Sequence, residues 1–202
     1  MENKTNLLTI LGVGIVVVLV LIFANFNIEV TVNGKGATKD SITADAAVFS
    51  NLVGKSAPDF TLENYNGEKV TLSSLKGKNV ILFFNEGLMC YPSCWNQIVA
   101  FGKESNLAKK AVILNITVDP KNDWKQAINK MPELSQSTVL FDSNRQVSVA
   151  YGVLRLGSSM HKGQFPGHSY IIIDKEGIVK FVKDDVQMAV RNQEIAQELD
   201  KL

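Results

Sequence analysis

The sequence predicts an α/β fold, a mixed sheet covered by helices, behind a single apolar N-terminal helix. Three observations carry that expectation. Runs rich in β-branched and aromatic residues recur at Val80–Phe84, Ala111–Val118, Thr138–Phe141 and Ser169–Ile173, with the length and composition of buried strands. The stretches between the first three of these have helical spacing, and strands alternating with helices imply parallel pairing. At the N-terminus, Leu7 to Ala24 is 18 residues long and carries no charge.

That apolar run is long enough for a tilted membrane span. A cleaved leader is the competing reading, but the run is long and Phe23-Ala24-Asn25-Phe26 lacks a small-x-small cleavage pattern. A core helix is disfavoured because no face of the run is polar. The expected organisation is a short flank at 1–6, a transmembrane anchor at 7–26, a linker at 27–54 and a folded domain at 55–202. Lys4 before the anchor and Lys35 and Lys39 after it give little charge bias, so orientation is not read from them. The linker assignment rests on Asn33-Gly-Lys-Gly36 and on the small, polar stretch Ala37 to Ala47.

From Lys55 the pattern becomes that of a globular domain. Ala57–Leu62 and Lys69–Leu72 flank Asn66-Gly67, as strand, turn and strand. Ser73–Gly77 reads as a helical turn closed by glycine, and Asn79–Phe84 as the central strand. A helix is expected over Trp95–Lys110, with Pro92 near its start, where no N–H donor is required. Ala111–Val118 is the next strand and Asn122–Met131 a helix halted by Pro132. Thr138–Phe141 is a short strand and Asn144–Tyr151 a short helix. Gly157–Gly167 is a loop, and Ser169–Ile173 a strand joined by the Lys175-Glu-Gly177 turn to Ile178–Val182. Arg191–Leu202 closes the chain as a helix.

Composition narrows the function classes. Lysine and arginine total 21 against 20 acidic residues, so the chain carries no polybasic signature for nucleic acid. A domain of this size buries an adequate core without disulfide staples. The two cysteines, Cys90 and Cys94, are therefore not needed for folding. They fall where the central strand turns into a helix, and free N–H groups at a helix N-terminus lower a thiol's pKa. A staple closing so short a loop removes little chain entropy. A dithiol/disulfide couple, one thiolate attacking and the other resolving, is the expected role.

Several motifs in order resemble the redoxin group, which includes the alkyl hydroperoxide reductase/thiol-specific antioxidant proteins and membrane-anchored thioredoxin-like proteins. These are Ala57-Pro-Asp-Phe-Thr-Leu62 with Val70–Leu75, Ile116-Thr-Val-Asp119 with Trp124, Phe141-Asp142 with Ala150-Tyr-Gly-Val153, and Ile171–Gly177. The resemblance spans nearly all of Lys55–Leu202 and implies a thioredoxin-like fold with thiol chemistry at the strand-to-helix turn. It implies an oxidoreductase or antioxidant activity on a disulfide or a peroxide, an electron donor, no cofactor, and a membrane-attached domain on the extracytoplasmic face. Two features depart from the group. Thioredoxins carry Cys-x-x-Cys and peroxiredoxins Thr-x-x-Cys, whereas here the spacing is Cys-x-x-x-Cys, with Tyr91 or Gly87 at the place of the threonine. Thioredoxin likeness favours Cys90 as nucleophile and peroxiredoxin likeness Cys94. The second departure is His168, which takes the place of a cis-proline or arginine before a late strand and is expected to lie against the cysteines.

A second resemblance, to the Sco copper-assembly proteins, rests on the same Cys-x-x-x-Cys and His168. Cys90, Cys94 and His168 would then hold copper, for which two thiolates and an imidazole are suitable ligands. Trp95 stands where those proteins usually have proline. Zinc-finger spacing is absent. His161 is expected to be exposed, Met89 and Met160 to be packing residues, Trp95 and Trp124 to line the core or site, and Glu86 to be a solvated loop carboxylate.

Overall fold

A computed structural model describes residues 39–202; the anchor expected at 7–26 lies outside them. Among the described residues no helix is long and apolar enough to cross a membrane. Seven strands of the described residues form one sheet: β1 (Thr61–Asn64), β2 (Lys69–Thr71), β3 (Asn79–Phe84), β4 (Ala111–Thr117), β5 (Val139–Phe141), β6 (Ser169–Ile173) and β7 (Val179–Asp184). Their order is β2-β1-β5-β4-β3-β6-β7. β3, β4 and β5 run parallel, while β6–β7 on one side and β1–β2 on the other are antiparallel. This is the mixed α/β sheet that the strand and helix order implies.

Alternation along β3 divides the core. Ile81 and Phe83 face one side with Trp95, Ile98, Trp124, Tyr170 and Ile195. Val80, Leu82 and Phe84 face the other with Leu114, Ile116 and Tyr151. Successive strand residues point to opposite faces, so a central strand buried on both sides must be apolar throughout. Helices α2 (Ser93–Lys103), α4 (Trp124–Lys130) and α6 (Asn192–Leu199) lie over the first face, and α5 (Gln146–Ala150) over the second.

Two expectations need correction. The helix expected over Trp95–Lys110 begins at Ser93 and is broken at Glu104, whose side chain accepts from Asn106 N–H and starts the separate helix α3 (Ser105–Lys110). The segment assigned as linker contains helix α1 (Lys39–Ser50), and Phe49 and Leu52 are buried in the second core. Small residues near Ala44–Ala47 resemble a tether, but they bring a large aromatic onto the sheet.

Candidate active site

The end of β3 delivers the chain into a tight 3-10 turn, Gly87–Cys90, and α2 begins at Ser93 with Pro92 as its N-cap. Cys90 closes the first element and Cys94 opens the second. Their sulfurs are bonded to each other, with Cα atoms 5.4 Å apart. Cys90 is 3% exposed and Cys94 fully buried.

Asn85, Asp119 and Trp95 shape the turn. Asn85 Oδ1 accepts Gly87 N–H at 2.9 Å. Asp119, just beyond β4, accepts Leu88 N–H at 3.0 Å and the Thr117 hydroxyl at 2.7 Å. Burial raises the Asp119 carboxyl above its ordinary pKa, against the pull of those two donors. Gly87 lies over this carboxylate with φ +53°, and a Cβ there would overlap Asp119 and Thr117. Trp95 Nε1–H donates to Gly87 O at 2.9 Å. Both Trp95 and Trp124 are core aromatics, as expected.

His168, immediately before β6, points its Nδ1 at Cys94 Sγ across 3.4 Å. Its Nε2 lies 2.8 Å from the Tyr170 hydroxyl, which contacts Gln97 Oε1 at 2.9 Å and Ala189 O at 3.2 Å. The Phe83 ring packs edge-on against the imidazole at 4.7 Å. Burial lowers the His168 pKa to about 4, outweighing the upward pull of Asp185, so the ring is neutral near pH 7. Behind it, Arg191 makes a two-pronged contact with Asp185 at 2.8 Å from each oxygen. Burial works against the Asp185 anion, yet Arg191 and Ala189 N–H hold its carboxyl below the ordinary value.

Three expectations fail beside the site. Glu86 is 1% exposed rather than solvated, and its Oε1 accepts Met160 N–H at 2.6 Å and His161 N–H at 3.0 Å. His161 is not merely exposed, because its Nδ1 lies 2.8 Å from Glu86 Oε2. Met89 and Met160 do not pack inward; they are 52% and 59% exposed. A carboxylate near glycine reads as a loop residue until the 158–161 backbone, remote in sequence, arrives to be capped.

The structure thus unites Cys90, Cys94 and His168, whose potential ligand atoms all lie within 4.8 Å of one another. It also brings in Tyr170 and Gln97, which the sequence motifs did not single out. A signal for both was present. Tyr170 is two residues after His168 on a strand, hence on the same face, and Gln97 is three after Cys94 on a helix.

The AhpC/TSA family model matches residues 53–182, well over half the chain. The chain belongs to the AhpC/TSA family. It is 33% identical over 131 residues to a chloroplastic peroxiredoxin Q of Triticum aestivum, covering 64% of this chain and 57% of that protein. It is also 31% identical over 135 residues to peroxiredoxin Bcp of Escherichia coli (strain K12), covering 65% of this chain and 85% of that one. The crystal structure of peroxidoxin BcpB from Mycobacterium tuberculosis has the same fold, with a TM-score of 0.62 at 22% identity over 74% of this chain and 97% of that one. The chain therefore spans a little over half the length of the wheat relative. AhpC/TSA membership follows the redoxin resemblance and not the copper-assembly one.

Proposed function

We propose that the protein is a thiol-dependent peroxide reductase whose nucleophile is Cys94 and whose resolving residue is Cys90. The observation that carries this reading is Cys94 itself, in the first turn of α2, bonded to Cys90 and 3.4 Å from His168. After reduction, the helix N-terminus and the imidazole hydrogen bond both favour a Cys94 thiolate, while Cys90 ends a 3-10 turn and lies near the imidazole without a hydrogen bond to it. The thiolate attacks one peroxide oxygen, the O–O bond breaks, and Cys94 becomes a sulfenic acid. Cys90 then displaces hydroxide from that sulfur, releasing water and forming the disulfide. A thiol-bearing electron donor returns both cysteines to thiols.

Stoichiometric peroxide added to the reduced full chain tests this. Peroxide consumption is expected to form the Cys90–Cys94 disulfide at a rate well above that of free cysteine. Cys94→Ser should abolish consumption, and Cys90→Ser should stall as a dimedone-reactive sulfenic acid. A reaction no faster than free cysteine would sink the proposal. So would a protein that purifies with copper and loses it on His168→Ala while remaining inert to peroxide.

The uncharged run at 7–26 supports a second, separable reading, single-pass attachment to a lipid bilayer, with the extracytoplasmic side for the thiol domain taken from the redoxin resemblance alone. Release of the full chain from membranes by alkaline carbonate would overturn it.

A further inference from the structure

We infer that Tyr170 and Gln97 are positioning residues that hold His168 in the tautomer whose Nδ1 lone pair faces Cys94, making His168 the acceptor of the Cys94 thiol proton. The inference rests on the proposed thiol chemistry of the same site.

Backbone groups of unambiguous polarity fix the chain of hydrogen bonds. Ala100 O can only accept, so the Asn192 atom 2.9 Å from it is the Nδ2 amide. Asn192 Oδ1 then faces the Gln97 amide nitrogen at 2.8 Å. Arg191 N–H can only donate, and at 2.7 Å it independently requires Gln97 to present Oε1. The Tyr170 hydroxyl therefore faces two obligate acceptors, Gln97 Oε1 at 2.9 Å and Ala189 O at 3.2 Å. It has one proton, which goes to one of them. Towards His168 the hydroxyl is left with a lone pair, so Nε2 across 2.8 Å must carry hydrogen and donate. A neutral imidazole protonated at Nε2 is bare at Nδ1, and Nδ1 is the atom 3.4 Å from Cys94 Sγ.

The opposite tautomer would point Nδ1–H at sulfur and turn the Tyr170 proton onto Nε2. It would leave Tyr170 oxygen and Gln97 Oε1 lone pair to lone pair in a dry pocket, an arrangement burial penalises. Phe83, packed on the ring at 4.7 Å, supplies no competing donor. Burial keeps the ring neutral and the lone pair free in the disulfide state, and accepting the thiol proton relies on the adjacent Cys94 thiolate to stabilise the imidazolium.

The proton has a place at each step. Reduction gives a Cys94 thiol, and its proton passes to Nδ1, leaving a thiolate beside an imidazolium. The thiolate forms the S–O bond as the O–O bond breaks. The departing alkoxide or hydroxide takes the proton back from Nδ1, restoring the neutral ring. Thiol and imidazole titrate as a coupled pair. The charged and titratable groups around them are Asp184 and Asp185 at the end of β7, Arg191 ahead of α6, Tyr170 on β6 and Cys90 in the turn.

Long-range ¹⁵N–¹H correlation on the full chain reads the tautomer directly, without a variant. Protonation of His168 at Nε2 is expected, and a neutral ring protonated at Nδ1 would overturn the inference. A second arm follows iodoacetamide alkylation of Cys94 against pH in the Cys90→Ser background. Tyr170→Phe should slow alkylation at pH 7 by roughly 10- to 100-fold and move its midpoint to higher pH; His168→Gln should do at least as much. A profile unchanged by Tyr170→Phe refutes the role, whereas loss of bulk packing alone would not move the midpoint. Should the tautomer and the shift appear without peroxide consumption, the relay stands and the peroxide reading fails. Peroxide turnover by a protein protonated at Nδ1 would refute the relay and leave the peroxide reading standing.

Discussion

Glu86 Oε1 caps the backbone N–H of Met160 at 2.6 Å, tying the residue ahead of the cysteine turn to a loop 74 positions away. The same carboxylate takes His161 N–H at 3.0 Å and the Ser159 hydroxyl at 3.2 Å. Removing it takes away the protein acceptor of two part-buried backbone donors. Glu86→Ala is expected to cost about 3 kcal/mol in urea unfolding, because a buried charged acceptor is lost with its donors left in place. His161→Ala, at a partly exposed partner, should cost less than about 1 kcal/mol.

Oxidised protein should lose stability as pH falls because of His168. In the unfolded chain the ring titrates near 6.5, and in the fold near 4, so between those values the unfolded state holds more protons. The contribution is complete above 6.5 and is lost as pH falls through 4. Between pH 7 and about 4.5, wild type should lose about 2 kcal/mol more than His168→Gln in urea titrations. Asp119, raised by burial, works in the opposite direction, but it is common to both proteins and cancels in the difference.

Gly87→Ala combines a positive φ with a side chain that has nowhere to go. Its Cβ would displace Asp119 from Leu88 N–H and strain the turn that ends in Cys90. A loss of about 3 kcal/mol is expected in urea unfolding of the oxidised protein. Asp119→Ala, which opens room, should relieve part of it in the double variant.

Phe49→Ala tests whether 39–52 belongs to the domain. Phe49 is packed among buried apolar side chains with Leu52, so its truncation should destabilise by about 3 to 4 kcal/mol. A true tether would leave the urea midpoint unmoved.

Strand positions, the helix at the cysteines and the placement of His168 were legible because each rests on local periodicity or on a motif adjacent in sequence. The unbroken apolar run of β3 reads directly as a central strand buried on both faces. What escaped depends on long-range arrivals. Glu86 looks solvated until residues 159–161 bring three donors to it, and Phe49 looks isolated until β3 gives it a surface. Tyr170 and Gln97 stood on the right faces but need Arg191 and Asn192, from the far end of the chain, to acquire meaning. Met89 and Met160 are apolar by type yet exposed, since the turn and loop that carry them face outward.

The shielded disulfide has a kinetic corollary. An incoming thiolate must approach a sulfur along the S–S axis, and both sulfurs belong to residues with almost no accessible surface. Reduction of this disulfide is therefore expected to wait on a local opening that exposes a sulfur, a step separate from thiol reactivity. Once the reductant is abundant, recovery should plateau at the opening frequency instead of rising with concentration. Oxidised molecules are then a protected reservoir, spared from stray thiols and emptied at a pace the fold itself dictates.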